Sequence, residues 1–423
     1  MDRSVQGGAR AELSSLSNFR HDRASDGAVA ETPALAAQRR GTIRVPGLAR
    51  ALVAVSAVAL TLGLLEIVLA RYLPQRTVTQ VLGDHAAMYR PGAVVPFELI
   101  PGFRGREREH EGEFDVAVEI NGAGFRQADE VGPKRAGGTR MVAIGDSFTF
   151  GEGVEGEEAW PRALHAALGR SAARPTEVIN AGVPGRWMDD YYLELKNRVL
   201  ALDPDVVLLG FFVGNDIDGE DARAHVWSRV DSHGLPEEVE VPDLRVENGH
   251  RLKGHVKSRW RLPIVRDSHV AQLFFDGGKA VFEALWPPEL AEEITYAPVD
   301  TAETKEIVGR VERLLLAMVE LCRARGCELV AVMIPTREQV SPELAPSGRE
   351  RDWEKPQRHF RAFFERAGIP FVDLLPAVRA AKDEAPLYYR FDAHWTARGH
   401  ALAAENVAAF LKARNLADPL ARP

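Results

Sequence analysis

Ser147 closes Met-Val-Ala-Ile-Gly-Asp-Ser (141–147), an apolar run that stops at Gly-Asp-Ser and continues into Phe-Thr-Phe-Gly. Far downstream stands Phe-Asp-Ala-His-Trp-Thr (391–396). A serine hydroxyl is a poor nucleophile at neutral pH unless a base takes its proton, and that base works best when a carboxylate holds its ring. The chain offers one of each: Ser147, His394 and Asp392. Together they have the composition of a serine esterase centre. His400, on the following helical stretch, is a weaker base because no carboxylate lies so near in the chain. Taken singly, Gly-Asp-Ser also reads as a helix cap, and Asp-x-His as a polar turn.

An acyl-transfer site further needs donors aimed at the developing oxyanion, and the loss of one typically costs about 2.7–4 kcal/mol. Asn180-Ala-Gly182 follows a second apolar run and Gly214-Asn215-Asp216 a third. Gly182 N–H, the Asn215 side-chain amide and Ser147 N–H are the candidates. If the segment around His394 is extended, Asp392 and His394 point to the same side and can hydrogen-bond. Phe148, Trp187 and Trp395 stand near these motifs, either as pocket walls or as core. Gly151-Glu-Gly153-Val-Glu-Gly156 fits the dinucleotide fingerprint Gly-x-Gly-x-x-Gly. It begins well beyond the apolar run, however, and carries Glu152, Glu155, Glu157 and Glu158 where a pyrophosphate would approach. That reading is set aside.

The elements that must position these residues alternate in type from residue 139 onward. Apolar runs at 140–144, 177–180, 205–213, 328–334 and 370–374 read as strands. Helical spacing occupies 160–168, 188–202, 307–325, 358–367 and 400–412, with Thr396 a plausible N-cap for the last. Short buried strands alternating with helices predict an α/β domain with a parallel sheet covered on both faces. Residues 217–300 interrupt the alternation as a polar insertion, either a lid over the site or packing decoration. Residues 72–138 read as a juxtamembrane segment with short β-strands, the domain proper spanning 139–416.

Residues 51–70 form one apolar run within a predicted transmembrane anchor over 48–71. As a helix it spans roughly 30 Å, the thickness of the hydrocarbon core. Glu66 lies near its far end, where snorkelling lowers the cost of a charge. Arg39, Arg40, Arg44 and Arg50 precede the run, and only Arg71 and Arg76 follow closely. Positive-inside bias then places a disordered tail, 1–44, in the cytoplasm and the rest across the membrane. A cleaved signal peptide is the rival reading, and a buried soluble helix a weaker one.

The 423 residues carry a net charge of −8; residues 1–50 hold eight Arg against five acidic residues, so the remainder stands at −11. An acidic folded part argues against nucleic acid as a partner, since that binding depends on neutralising phosphates. Cys322 and Cys327 are the two cysteines, and no Cys/His grouping has zinc spacing. They read as two small apolar residues at a helix end and strand start, or as a bridge if the domain lies outside the cytoplasm.

Four motifs thus stand in order: Gly145-Asp146-Ser147, Gly182, Gly214-Asn215-Asp216 and His394. Over roughly residues 139–414 the chain resembles the SGNH (GDSL-type) hydrolase superfamily. The resemblance implies a flavodoxin-like three-layer α/β/α sandwich, with no metal and no organic cofactor. It implies Ser147 as nucleophile, His394 as base, Asp392 as its orienter, and Ser147, Gly182 and Asn215 as oxyanion donors. The spacing departs from the Asp-x-x-His of many members. It is similar to an Asp-x-His-Trp variant of membrane-associated and periplasmic bacterial members, relatives of polysaccharide O-acetylation proteins among them. The expected protein is a single-pass inner-membrane carboxyl-ester hydrolase facing the periplasm or exterior, acting on an acyl ester, for instance an acylated glycan. An O-acyltransferase to an envelope polysaccharide, and an inactive glycan-binding relative, are the alternatives.

Overall fold

The structure, a computed structural model, describes residues 47–169, 175–217, 219–253, 262–285, 295–345 and 350–417. The tail predicted over 1–44 lies outside the described residues. The described residues divide into two units at Ala59/Leu60. Helix α1 (Gly47–Tyr72) begins in the first and ends in the second.

Among the described residues, α1 is the one helix long and apolar enough to cross a membrane. A soluble core helix would bury its apolar side chains, but Leu52, Val55, Val58, Leu60 and Leu64 are exposed. Glu66 has partners rather than open solvent. Its carboxylate accepts from Ser268 Oγ at 2.7 Å, His269 N–H at 2.7 Å and Val270 N–H at 3.0 Å. These donors begin the helix His269–Leu285, whose N-terminal end favours a negative charge.

After α2 (Val78–Asp84), two antiparallel hairpins follow: β1 (Tyr89–Pro91) with β2 (Phe97–Leu99), and β3 (Arg104–Arg108) with β4 (Asp115–Glu119). Their Met88, Phe97, Leu99, Val118 and Ile120 pack with Phe150 and Val183 of the α/β domain. The domain contributes β5 (Thr139–Ile144), β6 (Thr176–Asn180) and β7 (Val206–Phe212). The insertion adds β8 (Val226–Val230) paired with β9 (Pro236–Glu240), and β10 (Leu244–Glu247) paired with β11 (His250–Lys253). Strands β12 (Glu328–Ile334) and β13 (Phe371–Asp373) complete the set.

The central sheet is five-stranded and parallel, in the order β13-β12-β7-β5-β6. Side chains alternate across each strand, so one run serves two cores. Val142, Ile144, Val207, Leu209 and Phe211 face α5 (Met188–Asn197) and the helices Ala302–Ala324 and Lys355–Ala367. Met141, Ala143, Val206, Leu208 and Val332 face α4 (Trp160–Gly169) and the helices Leu375–Ala381 and Ala397–Ala413. The result is an α/β/α sandwich with the flavodoxin strand order.

The helix expected over 188–202 ends at Asn197 and tightens into a 3₁₀ turn, Val199–Leu202. Arg198 leaves helical geometry there, with its guanidinium 4.0 Å over the Phe125 ring and bonded to Glu194. The insertion is tied to the segment before the domain. Tyr89 N–H donates to Gly249 O and Val239 N–H to Val94 O, both at 2.9 Å. Cys322 and Cys327 are buried thiols, Cys327 Sγ donating to Cys322 O at 3.4 Å.

Candidate active site

In this strand order the chain leaves β5 toward β6 on one side, while its other neighbour is β7. Ligand crevices of open α/β sheets form at such a switch point, at the carboxyl ends of the strands. Ser147 follows β5 as the first residue of the short helix α3 (Ser147–Phe150), and Asn215 follows β7. The turn between β5 and α3 has no room for a side chain at Gly145: a Cβ there would meet Thr149 Oγ1 at 2.2 Å. Gly182, after β6, presses on α3 itself, and its Cβ would lie 2.3 Å from Phe150 N. Close backbone approach, rather than turn chemistry alone, requires these two glycines.

His394 Nε2 lies 2.7 Å from Ser147 Oγ, and Asp392 Oδ1 lies 2.6 Å from His394 Nδ1. The structure therefore brings all three predicted residues into one chain of contacts. The route differs from the extended segment expected. Ala393 adopts φ 69°, a left-handed conformation that non-glycine residues seldom take, and the backbone turns there. His394 N–H then also reaches Asp392 Oδ1, at 3.2 Å. Glu113, in the β3–β4 turn, pins this loop. Its carboxylate accepts from the N–H groups of Arg390 at 2.6 Å, Phe391 at 2.9 Å and Asp392 at 3.0 Å. No local pattern marks Glu113, because its partners are more than 270 residues away.

The three expected donors differ in availability. Asn215 Nδ2 donates one hydrogen to Asp146 Oδ2 at 2.9 Å, which orients the amide and leaves its second hydrogen for a ligand. Gly182 N–H is engaged by Asn180 Oδ1 at 3.0 Å. Ser147 N–H lies in the first turn of α3, where N–H groups lack intrahelical acceptors. Asp146 and Asn180 thus act on the donors from beneath, and neither was singled out by its motif. Asn215→Ala is expected to lower ester turnover by about 10²- to 10³-fold, the cost of one oxyanion donor. Unchanged kcat for that variant on a p-nitrophenyl ester would remove Asn215 from the site.

Burial pushes the Asp146 carboxyl up to about 6, partly countered by its bond from Asn215. Burial pulls the His394 imidazole down, but the nearby Glu152 charge and the bond to Asp392 outweigh it and raise the ring to about 9. Asp392 is held below its ordinary value; burial works against this, and the bond to His394 prevails. His400 is no base here. Burial lowers it to about 3, and its Nδ1 accepts from Trp160 N–H at 3.3 Å. Both nitrogens of His394 are engaged. The Glu152, Asp392 and His394 donor atoms lie within 4.8 Å of one another, yet offer a cation no free nitrogen.

Of the three aromatics, Phe148 borders the site, 5.0 Å from the His394 ring. Trp187 and Trp395 are wholly buried, the former donating from Nε1 to Asn215 O at 2.9 Å. Two clefts approach the centre. One, about 320 Å³, is lined by Phe148, Tyr296, Arg337, Trp353, Asp392 and His394. The other, about 380 Å³, is lined by His85, Tyr89, Glu107, Glu152, His250 and Arg251. The second is built largely by the N-terminal hairpins and the insertion. A separate groove of about 440 Å³ around Asp205, Glu328 and Pro370 lies at the amino ends of the strands, away from this centre.

Fold and site together define an α/β/α hydrolase-like domain of the acyl-handling class. Residues 141–228 match the family GDSL-like Lipase/Acylhydrolase, and residues 292–422 match the SGNH hydrolase-like domain, acetyltransferase AlgX. Both matched descriptions are of SGNH or GDSL hydrolase-like domains, so over these two stretches the chain is similar to the SGNH hydrolase superfamily. It is similar to "Alginate biosynthesis protein AlgX" of Azotobacter vinelandii, 39% identical over 105 residues, covering 24% of this chain and 22% of that protein. It is also similar to "Probable alginate O-acetylase AlgJ" of Pseudomonas aeruginosa, 33% identical over 205 residues, covering 45% of this chain and 49% of that protein. The chain therefore spans about half or less of the curated relatives it matches. Among solved structures, a variant of the acetyl xylan esterase Axe2 from Geobacillus stearothermophilus aligns with TM-score 0.36 and 14% identity, covering 64% of this chain and 94% of that one.

Proposed function

We propose that this chain is a membrane-anchored serine O-acyltransferase that moves an acyl group, acetyl being the favoured case, onto a hydroxyl of an envelope glycan. The observation that carries the proposal is the 2.7 Å contact of Ser147 Oγ with an imidazole whose other nitrogen is held by Asp392. Ser147 Oγ attacks the ester carbonyl while His394 Nε2 takes its proton, and that proton leaves with the departing alcohol. The acyl-enzyme then gives its acyl group to the acceptor. Asn215 and Ser147 N–H stabilise the oxyanion of each tetrahedral intermediate.

Transfer rather than hydrolysis is supported by the relatives named as alginate O-acetylases and by two separate clefts, one bordered by His394 and the other by Glu152. Hydrolysis is the second reading, supported by the match to the GDSL-like lipase and acylhydrolase family. An inactive glycan-binding role is disfavoured by the complete Ser147–His394–Asp392 chain of contacts. Helix α1 serves as the anchor, with the arginine-rich side inward and the domain in the periplasm or outside.

The test uses the full chain in detergent with p-nitrophenyl acetate, with and without oligosaccharide acceptors, beside a Ser147→Ala control. Acetylated glycan formed faster than free acetate supports transfer; acetate release unaffected by any glycan supports hydrolysis. Failure of Ser147 to become acylated in folded protein would end both readings.

A further inference from the structure

The Gly151-Glu152-Gly153 turn, discarded as a nucleotide fingerprint, has another use. Gly151 and Gly153 take φ 86° and 82°, and Glu152 N–H donates to Ser147 O at 3.0 Å. Neither glycine has room for a side chain: a Cβ at 151 would lie 2.4 Å from Ala159 Cβ, and one at 153 would lie 2.8 Å from the Tyr389 ring. Tyr389 then ties the turn to the base. Its hydroxyl donates to Gly153 O at 2.8 Å and its N–H to His394 O at 2.8 Å.

This turn holds the Glu152 carboxylate 3.9 Å from His394 Nε2, the same nitrogen that contacts Ser147. Among the described residues no donor hydrogen-bonds that carboxylate. Glu152 also lines the 380 Å³ cleft, so it stands between the open space and the base. One oxygen placed about 2.8 Å from each atom bridges a gap of this size with ordinary hydrogen bonds.

We propose that Glu152 is a catalytic residue of the second half-reaction, where its carboxylate and His394 Nε2 together hold the incoming nucleophile. This rests on the acyl-enzyme reading above. The attacking oxygen gives one hydrogen to Nε2 and forms its bond to the acyl carbon. The Ser147 Oγ–acyl bond then breaks, and Nε2 returns that proton to Oγ. Glu152 gains no proton; it accepts a hydrogen bond from a second O–H. Water carries one on the same oxygen, and a vicinal diol carries one on the neighbouring carbon. A simple monoalcohol carries none. Sugar hydroxyls and water are therefore the nucleophiles this site accepts, and they enter through the cleft of the N-terminal hairpins and insertion. The first half-reaction does not require Glu152, because Ser147 already contacts the base.

The charged groups around this pair are Glu107 of β3, His85 beyond α2, Asp392 of the loop and Asp146 of the α3 cap. Burial pushes the Glu152 carboxyl up to about 7, so above that pH its charge raises His394, and its removal moves the acid limb of kcat/KM, which requires the unprotonated ring, to lower pH.

The experiment is pre-steady-state acetylation by p-nitrophenyl acetate, with Glu152→Gln and Glu152→Ala compared with the unaltered chain. With rates compared on the pH-independent plateau above the acid limb, the expected result is a burst rate within about 3-fold and a deacylation rate lower by about 10- to 100-fold, with acetyl-Ser147 accumulating by intact mass. Formate should restore deacylation in Glu152→Ala, a rescue that a merely structural role would not show. The unaltered chain should transfer acetyl to ethylene glycol in preference to ethanol, and Glu152→Gln should lose that preference. Burst and turnover falling together, or deacylation unchanged, would overturn the assignment. An unaltered chain that never forms acetyl-Ser147 would instead overturn the acyl-enzyme reading beneath it.

Discussion

Replacing Ser147 by alanine is expected to lower ester turnover by about 10⁴- to 10⁶-fold, with the melting temperature nearly unchanged. The loss is large because no other hydroxyl among the described residues contacts His394 Nε2. Thr149 is near in sequence, but it is wholly buried against Gly145 and Gly210. The residual rate should come from the oxyanion donors, since the variant keeps its backbone N–H at position 147 and Asn215 keeps its bond to Asp146. Stability should hold because Ser147 Oγ makes its hydrogen bond to the imidazole at the cleft rather than to the core. Steady-state turnover of p-nitrophenyl acetate and a thermal melt check both halves. A loss under about 10-fold would mean that another nucleophile carries the reaction.

Asp392→Asn is expected to cost about 10²- to 10⁴-fold in kcat while leaving substrate binding little changed. The carboxylate accepts from His394 Nδ1–H and so keeps the lone pair of Nε2 facing Ser147. An asparagine amide can donate to Nδ1 instead. That places the ring proton on Nε2, where it cannot accept from serine. The pH dependence should move as well. Asp392 is one of the groups that raise His394 to about 9, so its neutralisation lowers the ring's pKa. Since only the unprotonated ring serves as base, kcat/KM rises with pH through that pKa, and the limb shifts toward lower pH in the variant. A profile that falls in height without moving would place the charge on His394 elsewhere.

The Glu113 contacts explain why the loop holds its shape without regular structure. Three successive N–H groups at 390–392 would otherwise face a turn with one left-handed alanine, a conformation that costs on the order of 1–3 kcal/mol. The N-terminal hairpins thus serve the site twice, through Glu113 on the loop and through Glu107 in the cleft, where His85 from the end of α2 joins it.

What was legible in the chain was what depends on neighbours in sequence. A strand buried on both faces must be apolar throughout, so β5, β7 and β12 stand out as Val/Leu/Ile runs. The helices between them follow from a 3.6-residue period, and α1 from sheer apolar length. Gly-Asp-Ser and Asp-x-His were visible because each motif is contiguous. Local pattern did not distinguish Phe148, which walls the cleft, from Trp187 and Trp395, which fill the core, because all three are aromatics beside a motif. Nor did it find Glu152, Glu113, Asp146 or Asn180. Their roles come from contacts that form only after strand order and long connections are set. Hydrophobic periodicity records which face of an element is buried. It does not record which distant carboxylate the folded chain will bring against an imidazole, and that was decided by the tertiary structure alone.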